Sequence, residues 1–247
     1  MANSPVDPRI QDLVRVGKVR IAVFPPEYTK DPATGELRGW AVDLARALAA
    51  RIGTANQLVE YPGPQPVLDD LKSGACDVAF LTMDPSWPAQ VDFSPPIIQF
   101  DYTYLVRGGS PIRALADVDR PGVRIAVVRN HASTLALSRT VKNAELVSAE
   151  IPDAAFDLLR TGDADAFASV RPSLMTYLSR LLGSRVLDDC YGSNVLSMVV
   201  PKTHAGWLSY VSEFAEEAKI SGLVQRAIEQ AGWRGVQVPS PGQSGYV

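Results

Sequence analysis

Only two histidines and two cysteines occur in the 247 residues, and no apolar run approaches the ~18–20 residues that a bilayer-spanning helix needs. The chain is therefore expected to be soluble. No nucleophile elbow, no His-Glu-x-x-His, no phosphate-cradling glycine loop and no metal-ligand cluster is present, so the common motif-bearing enzyme classes find no support. No cofactor is expected. Basic residues are also in deficit, 24 against 27 acidic ones, giving a formal charge of −3 and a pI near 5.5. A nucleic-acid groove or an anionic membrane surface requires clustered Lys and Arg, so both are excluded as partners. Cys76 and Cys190 are compatible with one disulfide or two free thiols, and free, partly buried thiols are expected. Residues Met1 to Asp7 carry neither the basic nor the apolar stretch of a secretory leader, which leaves a cytosolic chain or one whose leader has been removed.

What is present is an ordinary globular composition, 46% hydrophobic and 21% charged, enough to bury a sizeable core. An internal repeat organises it. Val19–Val23 reads Val-Arg-Ile-Ala-Val, and Val123–Val127 reads the same. Each copy is followed by a second shared pattern, apolar-Asp-x-Leu-basic-Ser/Thr-Gly-x-x-Asp-apolar, at Leu68–Val78 and Phe156–Ala166. The pattern predicts an amphipathic helix ending at Leu71 or Leu159, with a basic residue in its last turn and a left-handed Gly74 or Gly162 after it, then a buried strand. Asp43–Ile52, with Leu44, Leu48 and Ile52 on one face and Gly53 as its stop, predicts another helix. A further helix is expected over Ser133–Val141, and a helical region over 206–232.

Alternating strands and helices predict an α/β protein of two lobes, each a mostly parallel sheet flanked by helices. Extended stretches at Asp101–Val106 and Asn194–Pro201 suggest two crossings that act as a hinge, with residues 1–104 plus 199–247 as lobe 1 and 105–198 as lobe 2. Ligands of such sheets sit beyond the carboxyl ends of the strands.

Four stretches spanning roughly residues 15–235 then resemble the extracellular solute-binding proteins of ABC transporters, in the polar amino-acid-binding group (family 3, type II periplasmic-binding fold). They are Lys18–Val23, Gly39-Trp40-Ala41-Val42-Asp43-Leu44 with its helix, Leu71–Asp77 continuing to Val91-Asp92-Phe93-Ser94-Pro95-Pro96, and Gly162–Ala166. The resemblance implies a hinged clamshell that closes on a small molecule in its interlobe cleft and delivers it to a membrane permease. It also implies a periplasmic or extracellular monomer without enzymatic activity, a cytosolic location remaining open.

Two positions depart from that family's pattern. Trp87 stands where the family places an arginine on the ligand carboxylate, and Val170 where it places an aspartate on the ammonium. Burying either ligand charge without its partner costs several kcal/mol, so an ordinary α-amino acid is not the expected ligand. Trp87 instead offers an aromatic face for a small polar or aromatic solute, or else packs as part of a Pro85–Pro88 loop. The turn after the second Val-Arg-Ile-Ala-Val carries Asn130, His131 and Ser133 in place of the family's Gly-Thr or Gly-Ser pair. Phe24 and Tyr28, and less strongly Glu27, are candidates in the first lobe, with Thr82 at the end of its repeat strand. Arg171 either restores the positive charge lost at Trp87 or lies at a solvated rim. His204 lies outside the matched turn and is expected at the surface. The competing readings are a ligand-sensing domain and a dehydratase-like enzyme on the same scaffold.

Overall fold

The computed structural model describes residues 7–83, 91–129, 131–202 and 204–243. Trp87 and Asn130 lie outside the described residues. In chain order the elements run α1 (Gln11–Val16), β1 (Lys18–Val23), β2 (Thr29–Lys30), β3 (Leu37–Arg38), α2 (Trp40–Ile52), β4 (Ala55–Glu60), α3 (Pro64–Ser73), β5 (Ala79–Thr82) and β6 (Val91–Val106). There follow β7 (Arg124–Val128), α4 (Ala132–Leu137), β8 (Glu145–Ala149), α5 (Pro152–Thr161), β9 (Ala166–Val170) and α6 (Arg171–Tyr177). The chain closes with β10 (Arg185–Val186), β11 (Gly192–Pro201), α7 (Ala205–Ile220), α8 (Leu223–Gln230) and β12 (Val236–Gln237).

Two compact units result: residues 1–99, 195–233 and 238–247 form unit 1, and residues 100–194 with 234–237 form unit 2. Along the chain, β6 and β11 each run from one unit into the other.

In unit 1, β1 pairs parallel with β4 from Lys18↔Ala55 to Val23↔Glu60, a parallel bridge joins Ile21 to Val78, and β5 pairs antiparallel with β11. In unit 2, β7 lies between two parallel neighbours, β8 and β9, and β9 pairs antiparallel with β6. Alternate residues of β7 face opposite ways: Ile125 and Val127 join Tyr104, Leu137 and Ala168, while Ala126 and Val128 join Phe156, Leu159 and Phe167. A strand covered on both faces reads as a continuous apolar run, which is why the sequence shows no alternation there.

The repeat has a physical basis. In both units the aspartate of the Gly-x-x-Asp pattern is joined to the arginine of Val-Arg-Ile-Ala-Val on the neighbouring strand. Arg20 N donates to Asp77 Oδ2 at 2.7 Å and its guanidinium pairs with the same carboxylate, while Asp77 N donates back to Arg20 O at 2.9 Å. Arg124 N donates to Asp165 Oδ2 at 2.9 Å, and Asp165 N returns to Arg124 O at 2.8 Å. The helices α3 and α5 that lead into these aspartates match as well. Each starts with proline in its first turn, carries a basic residue in its last turn, Lys72 or Arg160, and stops at a left-handed glycine, Gly74 at φ 74° and Gly162 at φ 91°.

The Gly-Trp motif before α2 serves the core. Trp40 is fully buried and meets Phe80 and Trp233 edge-on, both with ring centroids 5.4 Å away. Two helices differ from expectation. The one predicted over Ser133–Val141 ends at Leu137, because Ser138 and Thr140 turn their hydroxyls onto the carbonyls of Leu135 and Leu137 and compete with helix propagation. The final helical region divides into α7 and α8 at Gly222, φ 72°.

Candidate functional site

Each unit carries its expected residues at the carboxyl ends of parallel strands, where α/β sheets hold ligands. In unit 1, Phe24 follows β1 and Thr82 ends β5, the strand bridged to β1 through Ile21 and Val78. Phe24 is half-buried against the cluster of Ala22, Val67, Leu71 and Leu81. Thr82 is half-buried and pairs with Leu196. Tyr28 donates its hydroxyl to Glu60 Oε2 at 2.9 Å, at the carboxyl end of β4; burial and Glu60 together raise its pKa.

Glu27 behaves unlike its neighbours. The turn from Phe24 closes through Glu27 N to Phe24 O at 2.9 Å, and Glu27 Oε2 accepts from Phe24 N at 3.2 Å. The residue is only 3% exposed and its Oε1 has no hydrogen-bond partner among the described residues. Burial pushes this carboxyl well above the ordinary glutamate range, partly opposed by the Phe24 amide, so burial favours its neutral form. The sequence offered one signal: an acid set between Phe24-Pro25-Pro26 and Tyr28. Glu27 and Tyr28 also line a cavity of about 440 Å³ in unit 1, together with Arg38, Asp43, Arg46 and Trp233.

In unit 2, His131 and Ser133 follow β7, and Val170 ends β9. His131 is half-buried, and its Nδ1 lies 2.7 Å from Ser133 Oγ. Burial is what lowers the His131 pKa, holding the imidazole neutral near neutral pH. Ser133 is only 1% exposed, so it supports His131 from behind. α4 has six residues, fewer than two turns, and lends little dipole to this turn. The tyrosine cluster behind it was missed in the sequence. Tyr191 packs on Tyr104 and Tyr102 at 4.9 and 5.9 Å between ring centroids, and its hydroxyl lies beside Ser133 without the geometry of a hydrogen bond.

Arg171 is neither a free cation nor a solvated rim residue. Its guanidinium donates to Leu187 O at 2.9 Å and Asp188 O at 2.7 Å, and its Nε lies 3.4 Å from Asp101 Oδ2. Both members of that ion pair are largely covered, with side-chain exposures of 16% and 13%. The side chain thus clasps the 187–188 segment to β6. His204 is half-buried, stacked on Trp207 with centroids 4.0 Å apart, and its Nδ1 lies 3.4 Å from Asp12 Oδ2. Both cysteines are free thiols, Cys76 buried and Cys190 exposed. No described helix is long and apolar enough to cross a membrane, and no metal-holding cluster occurs among the described residues.

Comparison with known proteins gives a consistent picture. The family model for bacterial extracellular solute-binding proteins, family 3, matches residues 18–233. The glutamine-binding protein GlnH of a Bacillus subtilis ABC transporter is 24% identical over 172 residues, covering 66% of this chain and 63% of that protein. The virulence sensor protein BvgS of Bordetella bronchiseptica is 27% identical over 188 residues, 75% of this chain but 14% of the sensor. Among solved structures, an ancestral cationic amino-acid solute-binding protein superposes with a TM-score of 0.73 at 24% identity, covering 91% of this chain and 98% of its own. An ancestral cyclohexadienyl dehydratase superposes with a TM-score of 0.61 at 24% identity, covering 94% and 97%. The shared fold is that of the type II periplasmic-binding proteins.

Proposed function

The chain belongs to the bacterial extracellular solute-binding proteins, family 3, and from that premise we propose that it captures a small polar or aromatic solute, other than an ordinary α-amino acid, for an ABC transporter permease. The observation that carries the exclusion is Val170. It ends β9 at the carboxyl edge of unit 2, where the family's resemblance places an ammonium-holding aspartate, and it supplies no charge. Arg171 beside it is committed to Leu187, Asp188 and Asp101, which supports the same reading. Phe24, Tyr28, Thr82 and Trp87 are the proposed contacts from the first repeat, and Asn130, His131 and Val170 those from the second; Ser133 and Arg171 act by holding their neighbours.

A thermal-shift screen of α-amino acids, carboxylates, amides, amines and aromatic acids tests this. A solute at about a hundred times its Kd stabilises by about 2.7 kcal/mol, well within detection. The expected result is stabilisation by a compound lacking the α-amino-acid zwitterion. Strong stabilisation by glutamine or another common α-amino acid sinks the exclusion, and turnover of a stabilising compound, read by mass spectrometry, would replace the binding role with an enzymatic one. The match to BvgS over 75% of this chain favours a ligand-sensing role as the second reading. A native gene that fuses this region to a signalling domain would decide for it.

A further inference from the structure

The pair His131 and Ser133 carries an inference about what the solute presents to unit 2, and it rests on the solute-binding reading above. His131 begins a turn three residues beyond β7, its own N–H donating to Val128 O at 3.2 Å. Its Nδ1 is 2.7 Å from Ser133 Oγ, while Nε2 has no partner among the described residues. A neutral imidazole carries one proton, on one nitrogen or the other, and the partner of Nδ1 decides which.

The count of donors and acceptors decides between the two arrangements. If His131 Nδ1–H donated to Ser133 Oγ, the buried hydroxyl proton of Ser133 would need another acceptor. The side-chain oxygen beside it, Tyr191 Oη, makes no hydrogen bond of acceptable geometry among the described residues. If Ser133 O–H donates to Nδ1 instead, the hydroxyl is satisfied and the imidazole proton resides on Nε2. Only the second arrangement leaves no buried serine donor unpaired among the described residues.

We propose that Ser133 fixes His131 in the tautomer protonated at Nε2, so that unit 2 offers the solute a neutral N–H donor and the solute meets it with a hydrogen-bond acceptor: a carboxylate, carbonyl or hydroxyl oxygen. Ser133 is thus a positioning residue and His131 a specificity-determining one. Among the described residues burial is the cause that perturbs His131, and the exposed Arg129–Glu150 pair at the ends of β7 and β8 engages itself at 3.1 Å. The requirement for an acceptor does not demand an anion, which separates this recognition from an arginine clamp.

Nitrogen-15 NMR of the imidazole rings in the unliganded chain reads the tautomer directly, with His204→Gln removing the only other histidine. The expected result is His131 protonated at Nε2, with Ser133→Ala shifting it toward a mixture and Ser133→Thr, which keeps the hydroxyl, retaining it. Calorimetric titration with phenylacetate, phenylacetamide and phenethylamine then tests the acceptor. The first two are expected to bind and to weaken about twofold in Ser133→Ala, since an even tautomer mixture halves the population able to donate from Nε2. A wild-type His131 protonated at Nδ1 or evenly mixed overturns the inference, as does binding of phenethylamine alone, and in either case the solute-binding reading stands. The expected tautomer with no binding by any probe or screened solute overturns the acceptor clause and places the failure with the solute-binding reading instead.

Discussion

In unit 1 the arginine of Val19–Val23 gives both its backbone N–H and its guanidinium to Asp77, whose side chain is 3% exposed. In unit 2 Arg124 gives its backbone N–H to Asp165, but its guanidinium is divided between Gly162 O at 2.8 Å and an Asp165 carboxylate 3.4 Å away and 29% exposed. Arg107 also approaches Asp165, at 3.9 Å. One five-residue string thus produces the same backbone exchange twice and two different side-chain outcomes. Backbone pairing follows from the string, and side-chain strength follows from what surrounds it.

The sharpest way to break that comparison is to remove each aspartate. Asp77→Ala leaves a buried amide and a guanidinium unpaired and is expected to cost about 3–5 kcal/mol. Asp165→Ala, in a wetter and shared site, is expected to cost about 1 kcal/mol. Urea unfolding of the two variants checks this, and equal costs would show that the two staples are equivalent after all.

The glycines after the matched helices come next in size. A side chain at Gly74 meets open space, so Gly74→Ala is expected to cost only the left-handed backbone penalty, about 1–2 kcal/mol. At Gly162 a Cβ would lie 3.0 Å from Arg107, whose guanidinium donates to Leu159 O at 2.9 Å, so Gly162→Ala is expected to add about 1 kcal/mol for that hydrogen bond. Thermal melts of the pair measure the difference directly.

A smaller effect separates the units by acidity. Glu27 in unit 1 holds its proton more tightly folded than unfolded, so the folded state binds more protons and stability falls as pH rises above the ordinary value of 4.5. His131 in unit 2 holds its proton less tightly folded than unfolded, so stability falls as pH drops below the ordinary 6.5. Glu27→Gln is expected to gain on the parent as pH rises toward about 8, and His131→Asn to gain on it as pH falls toward about 5, by a few degrees of melting temperature each. Parallel pH profiles for both variants would show that neither buried group carries the linkage.

The least perturbing test uses the thiols. Burial pushes the Cys76 thiol up to about 12 and covers it completely, whereas Cys190 in unit 2 is exposed. A disulfide reagent is expected to modify Cys190 promptly and Cys76 only at the rate at which unit 1 opens. Prompt reaction at both would mean that the cover over Cys76 is loose.

The same contrast explains what could be read in advance. The repeat, its helix stops and its buried strands were legible because they depend on local pattern: Gly74 and Gly162, Lys72 and Arg160, and apolar runs such as Val78–Leu81. The state of the individual polar groups was not legible. Arg171 looks like any charged residue near a strand end, and only the fold brings Leu187, Asp188 and Asp101 to it across long stretches of chain. The burial of Glu27 and the cluster around Tyr191 are hidden from the sequence for the same reason, since burial of a polar group is a property of its three-dimensional neighbours and leaves no periodic mark. Helix α4 was overextended because hydroxyl-to-carbonyl bonds at Ser138 and Thr140 override an apolar spacing that reads as helical.

The short return of residues 234–237 to unit 2 has a bearing on how the gene can be cut. Gly235 gives Arg171 the room it occupies, since a Cβ there would lie 2.8 Å from the arginine Cγ, and β12 pairs with β6. A stop codon placed after Trp233 would resemble harmless trimming beyond the last helix, yet it would strip an edge from the other unit and uncover its clasp. Domain-swapping or tagging schemes that treat the end of this chain as expendable should therefore leave the stretch through Gln237 in place.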